Sequence, residues 1–333
     1  MIVVDADFLG RQRTGDETYV ENLLRAIVPL KGALRVAAVT RDAALVPAGI
    51  EPLVLRSGSQ EVRMAWSLPR LLARARPRVA HFVHARPLRV TCPTVVTIQD
   101  LSFERDPRLM SRRDRLVFRN VVPRAVRRAA RVLAISERTK RDLVELYGVP
   151  QAKVVVTPLG VDPVFRPSAN GRRDFALFVG AIQPRKNPLA ALDAARAVGL
   201  PLVAVGPEKD ASLATELRRG GADVLGHVPK QELARLYASA ACLILPSRYE
   251  GFGLPVVEAM ASGTPVVATP DAALREVAGD AAVFADEASL AAAVQRALDE
   301  RERLVAAGLE RARLFTWEET ARRTLDVYRE LLA

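Results

Sequence analysis

Glu250 and Glu258 stand with seven residues between them, on either side of the glycine-rich run Gly251-Phe252-Gly253-Leu254. The segment reads "CLILPSRYEGFGLPVVEAMAS": a strand, a tight loop and a helix whose first turn carries Pro255 as its N1 residue. Amides in the first turn of a helix lack internal partners and carry partial positive charge, and the glycines let the backbone approach a ligand. Gly253, Leu254 and Val256 can therefore offer N–H groups to a phosphate. A second strand-loop-helix, "FALFVGAIQPRKNP", brings Arg185 and Lys186 to the start of another helix, with Asn187 as its cap. Two helix starts and two cations suit a diphosphate better than a lone carboxylate. Alone, the two cations would read as ordinary loop charges, and the two glutamates as solvated acids near a turn. Ionised glutamate only accepts hydrogen bonds, so its partners beside a diphosphate are hydroxyls. Glu258, one turn into the helix, is placed for a ribose diol, and Glu250 for the hydroxyls of a second sugar. Hydroxyl acceptor, phosphate cradle, hydroxyl acceptor is the outline of a nucleotide sugar.

The elements that must position these groups recur in alternation. Seven short apolar runs punctuate the first half, from "IVV" through "RVAAVT", "PLVL", "RVAHFV", "TVVTI" and "RVLAI" to "KVVVT". Six follow in the second half: "FALFVG", "LVAVG", "ADVLG", "CLILP", "PVVAT" and "AVFA". Continuous apolar runs separated by helical patterns predict strands buried on both faces of parallel sheets. The chain of 333 residues, half of them hydrophobic, is long for one core. The reading is α/β with two doubly wound, Rossmann-like domains facing across a cleft. The Pro- and Gly-rich stretch from Thr157 to Asp174 marks the break, giving domains at 1–165 and 166–315 and a closing helix at 316–333. Asp286, the Thr316/Glu319 pair, Gly148 and Gly263 read as helix-end signals.

Composition narrows the classes. No apolar run reaches the length of a membrane-spanning helix. The start, "MIVVDADFLG", reads as a first strand rather than a signal peptide. Two distant cysteines, Cys92 and Cys242, fit a reduced, cytoplasmic protein. The formal charge is +11, and residues 1–165 carry all of the excess, with 28 Lys and Arg against 16 Asp and Glu. The densest run, Arg105 to Arg131, reads either as a solvated surface or as a face for anionic lipid or acidic substrate, with localisation then peripheral at the inner membrane face. No aromatic-interleaved motif supports nucleic acid as a partner. Neither a Gly-x-Gly-x-x-Gly nor a Walker A sequence is present, which argues against nicotinamide or ATP chemistry. Asp5 and Asp7, "DAD", resemble a metal motif but end the first strand and read as structural. His81 and His84 read as an acceptor-site group or as hydrogen-bonded structural histidines.

The ordered motifs resemble those of the retaining nucleotide-sugar glycosyltransferases of family 4. "YEGFGLPVVEAMASGTPVVAT" is similar to the E-x7-E signature and "LFVGAIQPRKN" to the diphosphate loop. "VLGHVPKQELARLYASAACLILPS", "TIQDLSFERDP", "ISERTKRDL", "VVVTPLGVDPVFRP" and "FTWEETARRTLDVYREL" extend the likeness along almost the whole chain. The resemblance implies the GT-B fold, a donor held mainly by the second domain and a last helix that returns to the first. It implies that Glu258 holds the ribose, Glu250 the transferred sugar, Arg185 and Lys186 the departing diphosphate, and His227 and Val228 the base. It implies no metal and no separate cofactor. It further implies a donor that is a GDP- or UDP-linked hexose of the mannose, rhamnose or glucose type, and an acceptor that is a saccharide or lipid-linked saccharide in polysaccharide or glycolipid synthesis. Two positions depart from the pattern. Gln99 stands where the family usually has histidine near the donor sugar, which leaves hydrogen bonding but no cation. The loop "RTGDETY" places Asp16 and Glu17 after Gly15, where relatives often have Gly-Gly-Arg. Gly15 to Glu17 read as facing acceptor hydroxyls or as helix caps. An epimerase on the same fold and a non-catalytic nucleotide-sugar binder are the alternatives.

Overall fold

The computed structural model describes residues 1–11, 14–57, 59–106, 112–168 and 174–333, without the side chains of residues 14 and 112–114. The predicted break at 157–174 and the basic run at 105–131 fall partly outside them.

The chain forms two compact units, Met1–Gly160 with Trp317–Ala333, and Val161–Thr316. The first holds β1 (Ile2–Asp5), β2 (Val36–Thr40), β3 (Glu51–Val54), β4 (Val79–Val83), β5 (Thr94–Ile98), β6 (Arg131–Ala134) and β7 (Val154–Val156). They pair in the order β3-β2-β1-β4-β5-β6-β7, parallel throughout. The second holds β8 (Ala176–Val179), β9 (Leu202–Val205), β10 (Asp223–Gly226), β11 (Cys242–Leu245), β12 (Val266–Ala268) and β13 (Ala282–Phe284). Their order is β10-β9-β8-β11-β12-β13, again all parallel. The central strands are buried residue for residue, whereas edge strand β10 alternates between exposed and half-buried positions. Parallel strands need crossovers, and the helices that provide them cover the sheet faces. The result is the GT-B architecture.

In each sheet the chain reverses its direction of growth once, between β1 and β4 and between β8 and β11. Ligands of open α/β sheets bind outside the carboxyl ends of the strands at such a reversal.

Residues 161–165 belong to the second unit rather than the first. Val161 bridges to Thr316, Asp162 pairs with Lys230 at 2.8 Å, and Phe165 meets Tyr237 edge-on. The last helix, Trp317–Leu332, belongs to the first unit. Its Tyr328 hydroxyl meets His81 Nδ1 at 2.5 Å, and His81 Nε2 meets Thr97 Oγ1 at 2.7 Å. Tyr19 joins the same hydroxyl at 2.8 Å. His81 is fully buried, and burial pushes its pKa down to about 3. It is a neutral structural histidine that ties the last helix to β4 and β5.

Two helix-end expectations are corrected. Asn187 sits in the left-handed region (φ 50°) and donates its amide to Glu287 at 3.0 Å instead of capping with its side chain. Leu254 is the first residue of its helix, so Pro255 occupies the second position, where a missing N–H costs equally little. Gly148 and Gly263 are the expected left-handed glycines after helices. Asp5 and Asp7 are buried against arginines: Asp5 with Arg63, and Asp7 with Arg41 at 2.9 Å and Arg11 at 3.1 Å. No cluster of metal-ligating side chains occurs among the described residues. No helix of the described residues is long and apolar enough to cross a membrane.

Candidate functional site

β8 and β11 are hydrogen-bonded neighbours, so the loops that leave their carboxyl ends must meet. The turn Pro184–Lys186 follows β8, and Arg248 N–H donates to Arg185 C=O at 2.9 Å. Sixty-four residues apart in sequence, Lys186 Nζ and Glu250 Oε1 lie 2.5 Å apart. Arg185 donates to Tyr249 C=O at 2.8 Å and stands 3.7 Å from the other carboxylate oxygen of Glu250. Lys186 and Glu250 are both buried. Burial pushes the Glu250 carboxyl up, and the charges of Lys186 and Arg185 outweigh it and hold the group below its ordinary value.

The loop then enters helix Leu254–Ala261 through Gly253 at φ 101°. A side chain here is excluded twice: the conformation disfavours L residues, and a β-carbon would come within 2.5 Å of Leu274. Phe252 is buried edge-on against Phe315, a packing contact that pins the loop. Gly251 is buried as well. Val256 N–H already donates to Gly253 C=O at 2.9 Å. The expected three-amide cradle is thereby reduced to Gly253 and Leu254.

Glu258 lies one turn along this helix and accepts from the Tyr237 hydroxyl at 2.9 Å. Burial raises its pKa to about 7; the Tyr237 hydrogen bond and Lys230 work against that, and Asp162 with it. The sequence motifs did not single out Tyr237, Lys230 or Asp162. Tyr237 could have been suspected, because a phenol in the buried stripe of "ELARLYASA" needs a hydroxyl partner.

His227 is exposed and Val228 half-buried in the segment after β10. That edge strand is separated from β8 by β9.

Two sequence-predicted residues, Gln99 and Gly15, belong to the first unit, and they are neighbours. Gln99 follows β5, and its Oε1 is 3.3 Å from the point where a β-carbon on Gly15 would lie. Its Nε2 is buried with no partner among the described residues. Of the two acids beside Gly15, Glu17 accepts from Gly10 N–H at 2.7 Å and Asp16 meets His84 Nε2 at 3.0 Å.

Residues 13–165 match the family model described as Glycosyltransferase Family 4, and residues 164–312 the model described as Glycosyl transferases group 1. The chain belongs to the glycosyltransferases. The chain is 32% identical over 230 residues to the Escherichia coli O-antigen chain mannosyltransferase B, covering 60% of each chain. It is 37% identical over 252 residues to the D-inositol 3-phosphate glycosyltransferase of a Nocardioides species, covering 62% of this chain and 55% of that one. The matches thus span about 55–60% of these curated relatives' length. In fold it is similar to the sucrose-phosphate synthase of Thermosynechococcus elongatus, with a TM-score of 0.81 at 21% identity over 99% of this chain and 98% of that one.

Proposed function

We propose that the protein is a metal-independent, retaining hexosyltransferase that moves a mannose-type sugar from a nucleotide diphosphate donor, GDP-mannose first and a UDP-sugar second, to a saccharide or lipid-linked saccharide. The observation that carries this reading is the convergence of Arg185, Lys186 and Glu250 with the Gly253 helix start at the β8/β11 reversal. Glu258 stands one turn further on. The likeness to a mannosyltransferase supports the sugar.

In this reading the diphosphate lies against the Gly253 and Leu254 amides and shares Arg185 and Lys186 with Glu250. Glu258 takes the ribose diol, Glu250 the hydroxyls of the transferred sugar, and His227 and Val228 flank the base. Gln99, where the family usually has histidine, is proposed to tune donor preference. The acceptor oxygen bonds to the anomeric carbon on the face from which the phosphate leaves. The bond to the phosphate oxygen breaks, and that oxygen takes the hydroxyl proton, so no protein nucleophile is spent. Catalysis is then mainly the stabilisation of charge growing on the diphosphate. Losing one cation should cost about 10²- to 10³-fold in kcat.

The test is a thermal-shift panel of GDP, UDP, ADP and dTDP with their sugar conjugates. A ligand at about 100 times its Kd adds about 2.7 kcal/mol of stability. Shifts that persist undiminished in Lys186→Ala and Glu258→Ala would refute the site. Restoring histidine at 99 should reorder the preferred donors.

For the membrane we propose peripheral contact through helix Arg112–Arg128. Leu116 and Val117 are 66% and 52% exposed there, with Arg119, Arg124, Arg127 and Arg128 exposed along the same helix. Apolar tips among arginines suit an anionic lipid surface. Co-sedimentation with phosphatidylglycerol vesicles should weaken with salt and with Leu116→Glu; equal binding to neutral vesicles would rule this out.

A further inference from the structure

The connection from β4 to β5 carries a guanidinium that the fold leaves unpaired. β4 ends at Val83 and β5 begins at Thr94. The two strands are parallel, so the chain between them must travel back along their length. Its path lies beside helix Arg112–Arg128. At one end His84 meets Phe118 edge-on, with ring centroids 5.9 Å apart. At the other end Thr94 C=O accepts from Ala130 N–H at 2.8 Å. Along that seam Arg86 comes within range of the charge of Arg128, the last residue of the helix.

Neither arginine makes a hydrogen bond or an ion pair among the described residues. Arg128 is exposed and Arg86 half-buried. Of the three Arg86 nitrogens only Nε is sealed from solvent without a partner, so the two terminal ones stay within reach of a ligand. Solvation accounts for Arg128, which also stands at the negative end of its own helix. Arg86 is different. An arginine ordinarily keeps its charged head in water or pairs it where it is buried. Burial first, and the like charge of Arg128 second, push the Arg86 pKa down, with Cys92 working the other way. Two guanidiniums held together with no carboxylate bonded to either suit an anion. Each is a planar fork of donors. A phosphate offers oxygens to both forks and carries charge enough to match both, whereas one fork occupies a carboxylate fully.

We propose that Arg86 and Arg128 form a binding site for a phosphate group in the first unit, additional to the diphosphate site at Arg185 and Lys186. The site does not depend on the glycosyl-transfer reading. Its phosphate is a free ion or a lipid headgroup, and the two sources are separable by experiment.

The test uses the full chain in chloride buffer, with inorganic phosphate as the probe. Without phosphate, Arg86→Met, which keeps an unbranched side chain and removes the charge, should melt about 2 °C or more above wild type. Added phosphate should raise the wild-type Tm beyond the effect of chloride at equal ionic strength. Arg86→Met and Arg128→Gln should each lose most of that excess. Arg124→Gln, at an exposed position of the same helix, should keep it. Lys186 is intact in all three variants, so phosphate held there cancels in the comparison. Arg128→Gln, at the surface, decides the matter if Arg86→Met fails to fold. Phosphatidylglycerol vesicles identify the source. For a lipid headgroup, Arg86→Met and Arg128→Gln should each cut co-sedimentation by about fivefold, Arg124→Gln by less, and inorganic phosphate should compete. For a free ion, vesicle binding should be equal in Arg86→Met and Arg124→Gln. A wild-type response to phosphate no greater than to chloride, or one undiminished in Arg86→Met and Arg128→Gln, would overturn the proposal. A lower Tm for Arg86→Met without phosphate would mark a structural arginine and overturn it as well.

Discussion

Glu258 carries two opposed demands in one carboxyl group. The proposed ribose recognition needs the ionised form, which accepts from both hydroxyls, while burial favours the protonated form and raises the pKa from 4.5 to about 7. The folded state holds a proton that the unfolded chain would already have released. That stabilisation is full below the unfolded value and is lost as pH rises through about 7. Glu258→Gln should therefore be more stable than wild type at pH 8, by on the order of 2–3 kcal/mol, and nearly equal at pH 4. Urea unfolding at the two pH values checks this. Nucleotide affinity should move the other way, rising with pH in wild type and staying low and flat in the variant. Lys186 and Glu250 offer the complementary case, since each is buried against the other. Lys186→Ala should destabilise by about 3–5 kcal/mol because it strands a buried carboxylate. Lys186→Met with Glu250→Gln should recover most of that stability while turnover stays lost. Denaturation and initial-rate measurements on wild type and these two variants separate the two effects.

At the scale of elements, the two loops meet because β8 and β11 are neighbours, and the second loop turns into its helix at a position only glycine fills well. Gly253→Ala faces both φ 101° and the Leu274 contact. It should lower stability by about 1–3 kcal/mol and weaken nucleotide binding further than that loss alone explains. Calorimetric unfolding with and without the nucleotide tests the claim; normal binding in a folded Gly253→Ala protein would contradict it. The apolar runs made the strands of the described residues legible; the central ones, buried on both faces, carry that pattern locally, whereas edge strands β3 and β10 are largely exposed. Asn187 was misread as a cap for the opposite reason: its partner, Glu287, lies 100 residues away. The amide of Val256 was overcounted because the turn that consumes it is a property of three-dimensional path, not of residue type.

Across the whole molecule, the chain leaves its first unit, builds the second and returns to the first for its last helix. That return is fastened inside the core, where Tyr328 satisfies His81 Nδ1. Tyr328→Phe should leave that nitrogen buried and unpaired, at about 1–3 kcal/mol. Limited proteolysis should then cut first near the last helix, and indifference to the substitution would show that packing alone holds it.

The two-unit α/β plan, the glycine turn, the two glutamates and the paired cations were all determined by the sequence itself. Each is written in residue types at short spacing, where backbone sterics and hydrophobic period act. Only the tertiary structure decided which polar groups face one another. It gave Lys186 to Glu250, Tyr237 to Glu258 and Asp16 to His84, and it committed His81, Asp5 and Asp7 to structural bonds. Charge and hydrogen bonding act over a few ångströms of space, and the fold brings within that range residues as distant along the chain as His81 and Tyr328, 247 positions apart.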